Sequence, residues 1–397
     1  MEKRNIDAGK IQYWHNLSFE NRRELEGHFR KVSNLGANVI VGWRSLSKKI
    51  QIFYIPSFSL PQIAKSRSDL LQLDRYVDSQ EKGAQLVASG CRETTIELKH
   101  DIEKNDAHIQ EINNIIRYFS VTQFDSRAVA LFDMVSFSVH SPHEQITHVS
   151  VLSYYIKLAA ARCRSLGMPI EVCLTTTGDG FYVWNSHEGL DADIVLFCSV
   201  VLTLGYMYAA RQKTETSVAT VPRLRCAVHF GSHYEYYQGG SGAAEAGGYI
   251  VGDVTINLAR LMSKAVSSQL LVGSTHIPLG DKDEKWKEIL GVDEIDCLTF
   301  IAIAQAELTK FKGLPTPSGK ISSAKVNFTG PRISEDTFAI RKYYVKDKHG
   351  IEHPCFNAKL DITSESGDNI TFGFVDEDLG NFEARADESE DILITMR

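Results

Sequence analysis

Two aspartates stand where carboxylates could do chemistry. Asp179 lies between glycines in Leu174–Trp184 (LTTTGDGFYVW), a turn flanked by runs rich in Thr, Phe, Tyr and Val. That is the pattern of a β-hairpin with an acid at its tip. Asp133 closes the apolar run of AVALFDMVSFS, where a strand ends in an acid before Ser and Phe. Carboxylates on neighbouring strand ends can share a pair of hard cations, and such a pair suits phosphate chemistry. The bland use of either Asp is to cap a turn.

The elements around them alternate. Strands are expected at Arg127–Met134, Leu224–Phe230, Tyr249–Val251 and Gln269–Val272, with a hairpin over Ile170–Trp184. Helices are expected at His148–Gly167, Asp191–Arg211 and Thr255–Lys264. This predicts an α+β domain over residues 121–312, not a doubly wound sheet. Upstream, residues 1–120 carry an amphipathic helix at Asn21–Val32 and a strand at Lys49–Ile55. A second helix is expected over Lys99–Ser120, with Ile102, Ile109, Ile112, Ile116 and Phe119 on one narrow seam that either packs on its own domain or pairs with a second chain. Downstream, Ala324–Phe328, Asn357–Thr363, Asn369–Val375 and Ile392–Thr395 read as short strands of a small β-rich domain over 313–397. Its acids, among them Asp376, Asp378, Asp387 and Glu388, read as a solvated face.

Two glycine-rich stretches are decoys. Gln238–Gly248 (QGGSGAAEAGG) lacks the GxGxxG spacing of a dinucleotide loop, and Gly313–Ser322 (GLPTPSGKIS) misses the glycine spacing of a P-loop, so it reads as a linker. A net charge of −7 without a basic stripe argues against nucleic-acid binding. The seven cysteines stand singly, as small core residues of a reducing compartment do. The N-terminal MEKRNIDAGK has no apolar stretch of a signal peptide, so a cytoplasmic location is expected. Ile194–Ala210 is apolar but short of the roughly 20 residues that span a membrane, and a buried helix is expected there.

Taken in order, ALFDMVSFS, TTTGDGFYVW, RLRCAVHFG (Arg223–Gly231) and YIVGDVTINLARLM (Tyr249–Met262) resemble the class III nucleotide cyclases over about residues 125–275. The resemblance implies a ferredoxin-like adenylate/guanylate cyclase catalytic domain. It implies that Asp133, Asp179 and the backbone carbonyl of Met134 hold two divalent cations, Mn²⁺ or Mg²⁺. Backbone N–H groups of Val135, Ser136, Phe137 and Ser138, if they open a helix, would cradle phosphates. The family's transition-state arginine falls on Arg260; its ribose-contacting asparagine falls on Ile256, with Asn257 adjacent. Thr175 and Tyr249 occupy the positions where adenylate cyclases carry the Lys and Asp that read adenine. Their hydroxyls, with a ring filling part of the purine space, suit a smaller base.

That departure resembles the bacterial pyrimidine cyclases of the Pycsar anti-phage systems, which implies UTP or CTP as substrate, a cyclic nucleotide product acting on a separate effector, and a sensor-like C-terminal domain around Lys342–Ile370. A purine cyclase with an unusual pocket and an inactive nucleotide-sensing module are the alternatives. Thr175 and Asp179, read as four residues along one strand, would lie about 13 Å apart. They would then serve different sites of a two-fold homodimer, in which Asp133 and Asp179 of one chain meet Thr175, Tyr249 and Arg260 of the other. His229 reads as a core or turn residue, and Arg225 shares a face with Arg223 without an assigned role.

Overall fold

The computed structural model describes residues 17–213, 220–237, 248–334, 337–380, 382–387 and 392–395. The glycine-rich stretch before Gly248 and the acids Glu388, Glu390 and Asp391 lie outside them. The chain divides into two compact units, one of residues 1–124 with 234–249, the other of 125–233 with 250–397.

In the first unit, helix α1 (Phe19–Ser33) begins where the Ser18 side chain accepts the Asn21 N–H. Strands β1 (Asn38–Ser45) and β2 (Lys49–Pro56) pair antiparallel. Helices α2 (Leu60–Ser66) and α3 (Gln80–Ala88) follow, and β3 (Arg92–Glu97) pairs with β2. Helix α4 (Asp106–Arg117) is shorter than the expected Lys99–Ser120 because Asn105 caps it, accepting the His108 N–H at 2.8 Å. Its seam of Ile112, Ile115 and Ile116 is buried against Phe29, Ile40 and Trp43 of the same unit, so the apolar stripe packs on its own domain.

The second unit carries the site. Strand β4 (Val121–Met134) enters it, followed by α5 (Pro142–Ser165), β5 (Val172–Thr176), β6 (Gly180–Asn185), α6 (Leu190–Lys213) and β7 (Leu224–Tyr237). Then come β8 (Gly248–Val251), α7 (Asp253–Met262) and β9 (Leu270–Gly273). The sheet order β7-β4-β6-β5 for the succession β4-α5-β5-β6-α6-β7 is the ferredoxin-like split βαβ arrangement. Strand β6 pairs antiparallel with both β4 and β5, and β9 joins β7 in parallel.

Alternation along the strands separates two faces. Ala128, Ala130, Phe132 and Met134 of β4 join α5, α6 and the helix Cys297–Leu308 in the larger core. Val129 and Leu131 of β4, with Trp184 and Ala227, pack under Val254, Leu258 and Leu261 of α7. Helix α6 is long and apolar enough to cross a membrane, yet nearly all of that stretch is buried inside the protein. Each Leu, Ile or Val so buried contributes about 1.5–3 kcal/mol.

Two expectations for the C-terminal region are corrected. Residues 313–397 do not form a separate domain: Glu352–Ser364 pairs antiparallel with β9 and with Gly319–Phe328, continuing the same sheet. The physical reason is the open edge that β9 would otherwise present. Gly313–Ser322 is not a linker either, because Pro315 and Thr316 pair with Lys320 and Gly319 in a tight hairpin. The acidic face is partly committed to internal contacts, with Asp376 accepting from Arg341 at 3.2 Å and Asp387 from the Tyr344 hydroxyl at 2.9 Å.

Candidate active site

Two strand ends bring the aspartates together. Asp133 sits opposite Gly180 in the β4/β6 register, and the Met134 N–H donates to the Asp179 carbonyl at 2.8 Å. Gly180 is required by close approach: a Cβ there would lie 2.0 Å from the Phe132 carbonyl oxygen. Gly178, at φ +102°, makes the left-handed bend of the hairpin. Gly178 N–H also donates to Thr176 Oγ1 at 3.0 Å, and Thr177 N–H to the Gly180 carbonyl at 3.0 Å.

The Asp133 side chain emerges on the α7 face, in line with Leu131 and Val129. Arg225 donates from Nε to Asp133 Oδ2 at 2.6 Å while its Nη1 donates to the Ala265 carbonyl at 2.8 Å. Burial raises the Asp133 pKa; the hydrogen bond and charge of Arg225 oppose that rise, and the charge of Asp179 adds to it. Both acids line a cleft of about 280 Å³ with Thr177, Tyr182, Arg225 and Ser263. Tyr182 fixes the roof by donating from its hydroxyl to the Thr255 carbonyl of α7 at 3.1 Å.

This donor set fits divalent cations that keep most of their ligands on substrate and water. Among the described residues no cluster of three or more His, Cys, Asp or Glu side chains could hold a metal alone. Mg²⁺ characteristically takes one or two protein carboxylates and completes its shell with phosphate oxygens and water. Burial is the main cause of the raised Asp133 pKa and the neighbouring Asp179 charge adds to it, and a bound cation would favour the ionised form of Asp133.

The remaining predicted residues lie elsewhere. Neither Arg260 nor Asn257 lines that cleft, whose α7 residues are Ala259, Met262 and Ser263. Arg260 faces Asp347, Nε to Oδ2 at 3.5 Å, and Asn257 Oδ1 meets His353 Nδ1 at 3.1 Å. Ile256, beside Asn257, is exposed. Thr175 is paired with Tyr182 across the hairpin and is half-buried on the α7 face, in the second unit. Tyr249 belongs to the first unit, its ring 6.3 Å from that of Tyr236. Thr175 and Asp179 do not lie along one strand, because β5 ends at Thr176 and the chain turns through Gly178 before β6. The 13 Å extended spacing therefore does not apply.

After β4, Ser136 adopts the left-handed conformation at φ 58° and Phe137–Val139 forms a single 3₁₀ turn. The Val135 N–H is committed to the Arg223 carbonyl at 2.9 Å, which removes it from any phosphate cradle. Ser136, Phe137 and Ser138 stay in this bend; α5 opens later, at Pro142, capped by Ser141 and Glu144. His229 is a core residue whose pKa burial and the nearby His353 push down to about 4.

Sequence reasoning missed the roles of Arg225, Tyr182, Asp347 and His353. The period-two spacing of Arg223 and Arg225 was the one available signal; contacts such as Asn257 to His353 span 96 residues and leave no local trace.

No protein-family description and no curated protein matches the chain. Solved structures similar to it include the guanylyl cyclase Cya2, 11% identical over 61% of this chain and 93% of that one, with a TM-score of 0.35. The adenylyl cyclase CyaB from P. aeruginosa is 8% identical over 60% of this chain and 95% of that one, TM-score 0.34. The guanylate cyclase domain of RhGC from Catenaria anguillulae, in complex with GTP, is 15% identical over 61% of this chain and 98% of that one, TM-score 0.34. Likeness at this level is distant.

Proposed function

We propose that the protein is a nucleotide cyclase that converts a pyrimidine nucleoside triphosphate, UTP ahead of CTP, to the 3′,5′-cyclic monophosphate and pyrophosphate. The observation that carries this reading is the pair of carboxylates locked at adjoining ends of β4 and β6 by the Met134–Asp179 hydrogen bond, both lining one cleft on a ferredoxin-like sheet. Asp133 and Asp179, with the Met134 carbonyl, hold two divalent cations, Mn²⁺ or Mg²⁺. Cations held there would supply Lewis-acid chemistry, lowering the pKa of the ribose 3′-hydroxyl and neutralising the triphosphate. Ser136, Phe137 and Ser138 offer backbone N–H groups to the phosphates, Val135 being committed elsewhere.

Arg260 and Asn257 do not line the cleft of their own chain and contact Asp347 and His353 instead, which supports a two-fold homodimer in which they serve the partner's substrate. There the Arg260 guanidinium binds oxygens of the α-phosphate as charge develops, and Asn257 holds the ribose. Thr175 selects the base through a rotatable hydroxyl that can donate to or accept from uracil or cytosine. The cyclic nucleotide then acts on a separate effector in anti-phage defence, as the resemblance to the Pycsar cyclases implies. Incubating the purified protein with each of the four nucleoside triphosphates and Mn²⁺, then identifying products, tests the reading. Cyclic UMP or cyclic CMP is expected; cyclic AMP as the main product would overturn the base pocket, and no product from any substrate would overturn catalysis.

A further inference from the structure

The Asp347–Gly350 turn (DKHG) and the strand after it meet α7 at the two residues assigned to the partner's substrate. Asp347 divides its oxygens between two tasks. Oδ1 accepts the N–H groups of His349 at 2.8 Å and Ile351 at 3.0 Å, which builds the turn. Oδ2 faces outward from the turn to Arg260 Nε at 3.5 Å and His353 Nε2 at 3.4 Å. The other ring nitrogen of His353 faces Asn257 Oδ1 at 3.1 Å. One carboxylate oxygen and one imidazole thus touch both α7 side chains.

We infer that Asp347 and His353 are positioning residues that pre-set Arg260 and Asn257 for the substrate, so that the C-terminal extension completes the active site. The geometry fits that role. The Asp347 side chain is only 4% exposed against 33% for Arg260, so a fixed anchor holds a side chain that reaches outward. Contact is made at Nε, which leaves the terminal guanidinium nitrogens for an anion. His353, itself 12% exposed, contacts the Asn257 oxygen and leaves the amide nitrogen as a donor for a ribose hydroxyl. A side chain held this way loses little freedom on binding, and a displacement of about 1 Å at such a group costs on the order of 100-fold in rate.

This inference rests on the cyclase reading, and the test separates the two. In the full-length protein with Mn²⁺ and its best nucleoside triphosphate, Asp347→Asn keeps an oxygen for the turn but sets an amide against Arg260 and His353. Its kcat is expected to fall about 10- to 100-fold with KM within about twofold, since the arginine acts mainly in the transition state. Asp347→Glu, which restores the charge, should recover part of kcat, and His353→Gln should fall about 10-fold. Melting temperatures report folding independently. Loss of activity in Asp133→Ala and Arg260→Ala, with wild-type kcat in both Asp347→Asn and His353→Gln, would overturn the positioning role. Equal falls in kcat and melting temperature, without recovery in Asp347→Glu, would also overturn it by reducing the contact to a structural one. Full activity in Asp133→Ala or Arg260→Ala would overturn the cyclase reading beneath it.

Discussion

Asp193, in the first turn of α6, offers a quantitative check on the core that holds the site strands. Its side chain is 5% exposed and accepts the Ala128 N–H of β4 at 2.9 Å. Burial raises its pKa from 3.8 to about 7, against the lowering effects of that hydrogen bond and of Arg127, with Asp283 adding to the rise. The folded state therefore holds this proton more tightly than the unfolded chain. Stability from the protonated acid is complete below pH 3.8 and is lost as pH rises towards about 7. A gap of about three pH units corresponds to about 4 kcal/mol. In Asp193→Asn the amide oxygen keeps the Ala128 contact and nothing ionises, but a new buried amide N–H group costs about 1–3 kcal/mol. Relative to wild type, the variant should gain about 4 kcal/mol between pH 4 and pH 8, leaving a net advantage of about 1–3 kcal/mol at pH 8. At roughly 2–4 °C per kcal/mol for a unit of this size, the melting-temperature difference should move by about 10 °C across that range. Thermal melts of both proteins at several pH values read it directly. A difference that stays flat with pH would refute the reasoning, and a variant less stable at pH 8 would show that the charge balance with buried Arg127 outweighs desolvation.

Gly180→Ala places a methyl 2.0 Å from the Phe132 carbonyl, so the β4 and β6 ends must separate. Destabilisation of about 1–3 kcal/mol is expected in a melt, with a larger fractional loss of activity than of stability because the aspartates ride on those strands. Asp133→Asn and Asp179→Asn should each abolish product formation while leaving the far-ultraviolet spectrum unchanged; either variant at wild-type rates would remove the two-carboxylate mechanism. Replacing Thr175 by Ala should change the ratio of cyclic UMP to cyclic CMP in competition assays more than the total rate, and an unchanged ratio would dissociate it from base selection.

The strand that carries Asp133 and the hairpin that carries Asp179 at its turn were legible because each combines local alternation with a punctuating residue, and α6 because its apolar run has a single physical use. The hairpin turn between Thr176 and Gly180 was legible too, but its consequence for Thr175 was not, since reading the segment as extended ignores the bend that Gly178 permits. Helix α4 began later than its pattern because one capping side chain, Asn105, outweighed Ile102. The C-terminal strands were visible as strands, yet their pairing with β9 depends on an edge created some 85 residues earlier, about the separation of Leu271 and Asn357. The same distance hid Asp347 and His353: short-range pattern says where a turn forms, and only the closed sheet says what the turn touches.

The cysteines supply a built-in reporter on the same surface. Six are buried, and Cys173 alone is half-buried, on β5 two residues from Thr175 and on the same sheet face. Burial also pushes the thiols of Cys163 and Cys355 up to about 12 and that of Cys297 up to about 11, so these stay in the unreactive protonated form at neutral pH. A gentle alkylating reagent will therefore mark Cys173 first. Its labelling rate, followed with and without nucleotide and across protein concentration, reports by chemistry alone whether the outer strand of the hairpin is bare or covered.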